Sequence, residues 1–502
     1  MDPDKFPAYR PDQPQAVVEI VDCDKRFLVT AMPTGVGKSL IYVVASLLGG
    51  KRTLILTANK GLQKQLENDF GNLLVSISGK NNYVCPLNKL PCDMGPCVIG
   101  YKCPHKKTTY CPFWAKVEEA KDSNIVMTNY KFWLLNEKAL LGHFDRLVCD
   151  EAHDSVINVL DALSTVLYHR EFPSYWPTPD ISVSECMEWV EDRLEDAKET
   201  LRELHEHTIT SEIRKELFRL TRIKTKLEKL KDNYNATNWV IEHLGDRMRF
   251  DPIWPGALAE WYLFKGIEKV VMTSATVRPK TLYLLGVKTE EFIYHEYASR
   301  FPVSRRPVMI IPTTRVSYRW TKADMDIWMT RLEQIIRQRL DRKGIIHTVS
   351  YARRNYILDN SKFADIMMTH DSGDTRAVVE DFKNAEPPRI LVSPSVVTGW
   401  DFPYDTCEYQ ILSKIPFPDM RLAVDRERKR IDKEYPEYLA MQQVIQAFGR
   451  GMRAPDDQCE GLITDDHAKW FLFGKKHLAT KGFMDAVSIA TTIPQPPGRI
   501  VK

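Results

Sequence analysis

Met32-Pro33-Thr34-Gly35-Val36-Gly37-Lys38-Ser39 follows a short apolar run, Arg26–Thr30, and leads into a helix-forming run, Ser39–Leu48. The apolar run predicts a strand, so the glycines fall where a strand hands over to a helix. There a glycine-rich backbone curls its N–H groups toward phosphate oxygens, and the helix N-terminus adds positive potential. Lys38 is placed to reach β- and γ-phosphates, and the Ser39 hydroxyl to bind Mg²⁺. The strict form of such a loop begins with Gly, and Met32 stands in that place.

Outward from this loop, short apolar runs alternate with helical ones. Thr53–Thr57, Asn124–Thr128 and Arg146–Asp150 read as strands, and Gly61–Phe70 as a helix. That rhythm implies α/β architecture with a parallel sheet and crossover connections. From about Ser184 to Asp232 the chain turns rich in Glu, Lys, Arg and Leu. Leu217, Leu220, Leu227 and Leu230 share one helical face there, so a helical insertion is expected before the strand signal returns at Lys269–Thr273. Phe301–Pro312, with its Pro and Arg residues, reads as a crossing between domains. A second α/β set follows, with strands at Gly344–Val349, Ile366–Thr369, Arg389–Pro394 and Gln410–Ser413.

The 502 residues are too many for one core, and 43% hydrophobic with 27% charged residues is a globular composition. A formal charge of +3 excludes a uniformly basic nucleic-acid coat and leaves only local phosphate-binding patches. No stretch reaches the roughly 18–20 apolar residues that span a bilayer, and no basic-then-apolar leader opens the chain, so a cytoplasmic location is expected.

A second acidic signal supports the phosphate loop. Leu147-Val148-Cys149 runs into Asp150-Glu151-Ala152-His153, an apolar strand ending in two carboxylates. Asp150 is suited to hold Mg²⁺ and Glu151 to orient or deprotonate an attacking water. Far along the chain lies Gln446-Ala447-Phe448-Gly449-Arg450-Gly451-Met452-Arg453. Arg450 and Arg453, three apart, are expected on one helical face and able to meet a γ-phosphate across a cleft; the alternative is a surface helix pairing them with Asp456 and Asp457.

Five of the ten cysteines, Cys85, Cys92, Cys97, Cys103 and Cys111, crowd into one short Pro- and Lys-rich stretch. In a reducing compartment such crowding points to metal ligation. Four thiolates suit a [4Fe–4S] centre, and the spacings lack the paired C-x₂-C of a zinc ribbon, although zinc stays open as an alternative. Lys102, His105, Lys106 and Lys107 give this segment a basic rim, suited to phosphates or simply solvated.

Taken in order, these pieces resemble superfamily 2 helicases, and several details are similar to the XPD/DinG (Rad3-like) family. Met32-Pro33 ahead of Thr34-Gly35-Val36-Gly37-Lys38-Ser39 is similar to that family's form of the loop. Gly79–Cys85 and Cys111-Pro112-Phe113-Trp114 resemble the segments carrying its first and last cluster cysteines. Arg10-Pro11-Asp12-Gln13, Ser274-Ala275-Thr276, Thr398-Gly399-Trp400-Asp401 and Gln446–Arg453 resemble further family motifs.

The resemblance implies two RecA-like parallel-sheet motor domains clamping ATP and Mg²⁺. It implies an Fe–S cluster domain and a helical Arch-like domain inserted in the first motor. The first motor is expected over 1–78, 114–153 and 261–297, the cluster domain over 79–113 and the Arch-like insertion over 154–260. The second motor then covers 298–490, with a tail at 491–502. Thr34, Gly35, Gly37, Gly399 and Asp401 join Lys38 and Ser39 as nucleotide-site candidates, with Gln13 a candidate for adenine contact. Cys85, Cys97, Cys103 and Cys111 are the family-like cluster ligands, with Cys92 in reserve and Cys92 with Cys97 the alternative middle pair. The implied activity is 5′→3′ ATP-driven translocation by a monomer on single-stranded DNA, with forked or D-loop duplexes as substrates. The alternative is a translocase that strips bound proteins or acts on RNA–DNA hybrids.

Overall fold

The computed structural model describes residues 9–58, 60–208, 210–316, 320–395, 400–452 and 457–498. Strand β1, Phe27–Ala31, is buried at all five positions. Such continuous burial, without alternation, belongs to a parallel sheet covered on both faces. Around it form β2 (Thr53–Thr57), β3 (Val75–Ser76), β4 (Ile125–Asn129) and β5 (Arg146–Asp150). After an insertion with its own strands β6 (Thr165–Tyr168), β7 (Trp239–His243) and β8 (Arg247–Pro252), the sheet is completed by β9 (Lys269–Ser274) and β10 (Phe292–Glu296).

The first sheet has seven parallel strands in the order β10-β1-β9-β5-β2-β4-β3. That order places β9 between β1 and β5, with Ala31 opposite Ser274 and Asp150 opposite Thr273. The ends of three strands distant in sequence thus meet at one carboxyl edge, where α/β sheets bind ligands.

The second sheet is built from β11 (Val308–Ile310), β12 (Lys343–His347), β13 (Met367–Met368), β14 (Arg389–Ser393), β15 (Tyr409–Leu412), β16 (Glu460–Ile463) and β17 (Val487–Ile489). Its seven strands are again parallel, in the order β13-β14-β12-β15-β16-β11-β17. Both sheets are RecA-like α/β units, as the sequence motifs imply.

The insertion between β5 and β9 contains the expected helical stretch, folded as a hairpin of two helices. Its first helix, Val183–Glu206, starts at a capping box: Glu185 N–H donates to Ser182 Oγ (3.2 Å) and Ser182 N–H to Glu185 Oε2 (3.0 Å). Val190, Leu194 and Leu201 on it face Leu217, Leu220, Leu227 and Leu230 of the second helix, Ser211–Asn233; all seven are buried. Burying each such side chain contributes about 1.5–3 kcal/mol, so the stripe holds the hairpin. The insertion is not wholly helical, however. β6, β8 and β7 form a three-stranded antiparallel sheet at its base.

Two contacts tie the insertion to its surroundings. At the hairpin's far half, Leu201, Leu217 and Leu220 pack on Ile99 of the cysteine-bearing segment, where His205 Nε2 lies 2.7 Å from Ile99 O. At its base, the second unit's helix Ala423–Ile431 docks on the small sheet: Ala423 N–H donates to Glu242 Oε2 (3.1 Å), and Arg428 donates to Ile253 O (2.9 Å) and Pro252 O (2.8 Å).

Candidate functional site

The loop after β1 adopts the curled form its glycines permit. Gly35 and Gly37 have φ of 78° and 84°, the left-handed region that side chains disfavour, and the helix Lys38–Leu48 begins directly after. Gln13 braces this loop from below: its Nε2 donates to Val36 O (2.8 Å), and Arg10 N–H donates to its Oε1 (2.9 Å). A Cβ on Gly37 would stand 2.5 Å from Gln13 Nε2, so Gly is required by packing as well as by φ. Lys38 Nζ folds back to 3.5 Å from Met32 O. Met32 N–H in turn donates to Ser274 O (2.9 Å), joining the loop to the end of β9.

Asp150, at the end of β5, is buried. Burial and the neighbouring Glu151 charge push its carboxyl up to about 6, although Lys38, the Glu151 N–H (2.9 Å) and the Tyr42 hydroxyl (3.1 Å) favour the anion. The Tyr42 hydroxyl also bonds Ser39, so one phenol spans the two side chains expected to hold Mg²⁺. Tyr42 was not among the residues read from sequence. Its position four residues after Lys38, on the same helical face, is the signal that would have found it.

Glu151 sits at φ 48°, a left-handed conformation unusual for a non-glycine residue and typical of functional sites. Its Oε2 accepts from Ser274 Oγ (3.2 Å), and His153 Nδ1 lies 2.7 Å from the same hydroxyl. Ser274 Oγ also accepts the Thr276 N–H (3.2 Å). From Thr276 the network crosses to the second unit: Gln446 Nε2 donates to Thr276 Oγ1 (3.2 Å), and Arg450 Nη2 donates to Gln446 Oε1 (3.1 Å). Arg450 Nη1 approaches Asp401 Oδ1 at 3.6 Å. A Cβ on Gly449 would come within 3.3 Å of Thr34 Cγ2, so the two units close directly over the phosphate loop.

The structure therefore brings together Gln13, Thr34, Gly35, Gly37, Lys38, Ser39, Asp150, Glu151, Gln446, Arg450 and Asp401. Gly399 and Arg453 lie outside the described residues. One local expectation needs correction. The helix carrying Gln446 ends at Phe448, so Arg450 stands in the turn after Gly449 and not on a helical face. Asp457 Oδ1 accepts the Tyr404 N–H (2.8 Å). Thr276 and His153, which complete the crossing network, were legible only as parts of motifs.

The five clustered cysteines line one small cavity, together with Lys80, His105 and Lys106. Cys85, Cys92 and Cys111 are buried, while Cys97 and Cys103 are half-buried. Desolvation and the adjoining Cys111, Cys85 and Cys97 push the Cys92 thiol up to about 12. Enclosure thus does not set Cys92 apart from the other four. Among the described residues, no group of three or more His, Cys, Asp or Glu stands as a preformed ion site.

A model of the helicase C-terminal domain matches residues 333–477, and one of the type III restriction enzyme res subunit matches residues 7–171. A solved XPD helicase superimposes with a TM-score of 0.63 at 13% identity, covering 97% of this chain and 100% of the other. The chain shares the fold of solved XPD helicases and carries a match to the helicase C-terminal domain. Xpd4 of S. tokodaii superimposes with a TM-score of 0.59 at 14% identity, covering 96% of this chain and 100% of that one; at such identities the likeness is one of fold. A probable ATP-dependent helicase of Methanocaldococcus jannaschii is 28% identical over 206 residues, 34% of this chain. That match spans 32% of the relative's own length, about a third of it. Among the described residues of the chain, no helix is long and apolar enough to cross a membrane.

Proposed function

We propose that the protein is an ATP-driven DNA helicase that moves 5′→3′ along single-stranded DNA. The observation that carries this reading is the unbroken polar path from Glu151 through Ser274 and Thr276 to Gln446 and Arg450, which spans both motor domains. A group that senses the state of the nucleotide on one motor is thereby bonded to groups on the other.

In the proposed mechanism the backbone N–H groups of Thr34–Ser39 cradle the phosphates, and Lys38 leaves Met32 O to pair with them. Ser39 and Asp150 would hold Mg²⁺, which supplies charge neutralisation at the β- and γ-oxygens. Glu151, oriented by Ser274, takes the proton of the attacking water. Arg450, with Arg453 following it, neutralises charge on the transferred phosphoryl group, an effect worth roughly 10³–10⁵ in rate where an arginine finger acts. Gln446 holds Arg450 in register with Thr276, so loss of the γ-phosphate loosens the motors' contact.

The cysteine cavity fits an iron–sulfur cluster by its donors: five thiols converge, and Lys80 and Lys106 beside Cys97 offset thiolate charge. Cys85, Cys97, Cys103 and Cys111 would hold a [4Fe–4S] cluster, with Cys92 in reserve. When bound, it supplies bonds that cross-link a lobe too small to bury a core of its own. The lobe would then stand rigid beside the strand junction.

Purified protein assayed for ATP hydrolysis should be stimulated by single-stranded DNA, and should unwind a 5′-tailed duplex in preference to a 3′-tailed one. No stimulation by DNA, or preference for an RNA duplex, would overturn the reading. Anaerobically purified protein should be brown, and zinc without iron would overturn the cluster.

A further inference from the structure

The helix carrying Gln446 stops at Phe448, and the turn 449–452 behind it holds Arg450. Two contacts fix the height of that turn over the second sheet. The Phe402 N–H donates to Arg450 O (3.1 Å). Gly451 rests on side chains of the sheet itself: a Cβ there would stand 2.4 Å from Cys459 Sγ and 3.3 Å from Gln410 Nε2. With no room for anything between them, a shift of the Gln410 amide passes directly to the backbone beside Arg450.

Gln410 is held in its turn. It lies on β15, between β12 and β16, and a buried polar row of His347, Gln410 and Cys459 crosses these neighbouring strands beside an apolar cluster that includes Ile345, Phe402 and Met452. Gln410 Nε2 donates to Cys459 Sγ (3.5 Å), which turns its Oε1 toward His347 Nε2 at 2.9 Å. An amide oxygen only accepts, so His347 carries its proton on Nε2 and a lone pair on Nδ1. That Nδ1 is buried without a hydrogen-bond partner among the described residues. Burial and the Arg450 charge hold the imidazole down to about 4, although the bond to Gln410 opposes them. The ring is therefore neutral, and its one donor is spent on Gln410. A leucine would fill the same place without stranding an acceptor, so packing alone does not account for a histidine here.

We infer that His347 and Gln410 are positioning residues for phosphoryl transfer: the Nε2–H of His347 fixes the Gln410 amide, and that amide is the floor under Gly451 that sets where Arg450 stands. Both act through Arg450. Gln446 and Asp401 hold its guanidinium, whereas this row holds its backbone. A neutral ring suits the place, since an imidazolium would repel the arginine it serves. The inference rests on the role given to Arg450 above and adds to it the part of the second motor that keeps the arginine in register.

The test follows ATP hydrolysis by the full chain and, separately, retention of a fluorescent ADP analogue with and without aluminium fluoride, a mimic of the transferred phosphoryl group. His347→Leu should lower kcat about 10- to 100-fold with KM near wild type, as a misplaced transition-state group does. It should bind the ADP analogue as wild type does but lose the added retention that aluminium fluoride gives. His347→Gln, whose Nε2 can still donate to Gln410, should restore most of both. His347→Leu combined with Gln410→Met removes both polar partners together, so this pair should keep the wild-type thermal transition and still show the kcat loss. Added to Arg450→Ala, His347→Leu should cost nothing further. Full additivity with Arg450→Ala, wild-type kcat in the folded pair, or ADP affinity falling in step with kcat overturns this inference alone. Wild-type hydrolysis by Arg450→Ala overturns the role of Arg450 and this inference with it.

Discussion

Replacing Gly37 with Ala tests the phosphate loop and its brace together. At φ 84° an alanine costs about 1–2 kcal/mol in backbone strain. Its Cβ would also stand 2.5 Å from Gln13 Nε2, so the Gln13 amide must leave. That forfeits its bonds to Val36 O and from Arg10 N–H, each worth about 0.5–1.5 kcal/mol net. The sum, about 2–5 kcal/mol, is charged to rebuilding the nucleotide-competent loop. Affinity for a fluorescent ADP analogue, titrated by emission, should then fall at least about 30-fold. Gln13→Ala alone loses only the two bonds, about 1–3 kcal/mol, or roughly 5- to 150-fold. In the double variant the amide that clashed is gone and its bonds are already lost. Adding Gln13→Ala to Gly37→Ala should therefore cost almost nothing further. If the two penalties add in full, Gln13 does not brace Gly37 and the reasoning fails.

Other expectations are briefer. Because the Asp150 carboxyl is raised to about 6, protons compete with Mg²⁺, and the Mg²⁺ needed for half-maximal hydrolysis should rise about tenfold per unit below pH 6; a flat requirement between pH 7 and 5 refutes this. The sign for stability follows from the same upward shift: the anion is the disfavoured form, so Asp150 weakens the fold as pH rises through 6. Asp150→Asn should raise the thermal midpoint at pH 7.5 while abolishing hydrolysis, and a lowered midpoint would contradict it. Arg339 and Glu460 form a fully buried two-bond pair (2.6 and 2.9 Å), so Glu460→Gln, which leaves the guanidinium uncompensated, should destabilise the second motor by about 3–5 kcal/mol. Calorimetry showing less than about 1 kcal/mol would count against that. Cys85→Ser should lose bound iron, whereas Cys92→Ser should retain about four iron atoms per chain; equal loss in both would remove Cys92 from reserve.

How much of this was legible before the structure depends on how local the signal is. The strands Thr53–Thr57 and Arg146–Asp150 were read to the residue, because each is a fully buried run framed by polar ends. β10, β11, β16 and β17 were not read. β11 is three residues inside a Pro- and Arg-rich crossing, and only its pairing with β16 and β17 makes it a strand. The insertion's small sheet escaped for the same reason, with β6 only four residues long. The hairpin's leucine stripe was plain, since its periodicity needs no partner. At the site, the side chains of the loop and of Asp150 and Glu151 followed from motif chemistry. Tyr42, the brace by Gln13 and the turn holding Arg450 required contacts 23 to 170 residues apart, such as Gln13 with Val36 and Gln446 with Thr276.

The contacts between the motors differ in kind from those within them. Inside each unit, Val, Ile, Leu and Phe clusters fill the space between sheet and helices. Across the cleft Leu284 touches the second unit's core, and single polar bonds make further joins: Gln446 to Thr276, Lys280 to Asp432 (2.7 Å), Thr281 with Tyr438 (2.6 Å) and Arg278 to His477 O (3.3 Å). All four polar bonds start from the short stretch 276–281 that follows β9. An apolar seam would cost free energy in proportion to the area exposed each time it opened. A few polar bonds, each worth about 0.5–1.5 kcal/mol net, exchange with water at little cost. The docking of helix Ala423–Ile431 on the insertion's base uses polar bonds too, beside the edge-on contact of Trp254 with Tyr435 (4.8 Å). The insertion's other end, by contrast, meets the cysteine lobe through Ile99, Leu201, Leu217 and Leu220, an apolar contact that resists parting. Opening thus costs least where polar bonds make most of the joins, at the nucleotide cleft, while the apolar contact holds the hairpin and the lobe together.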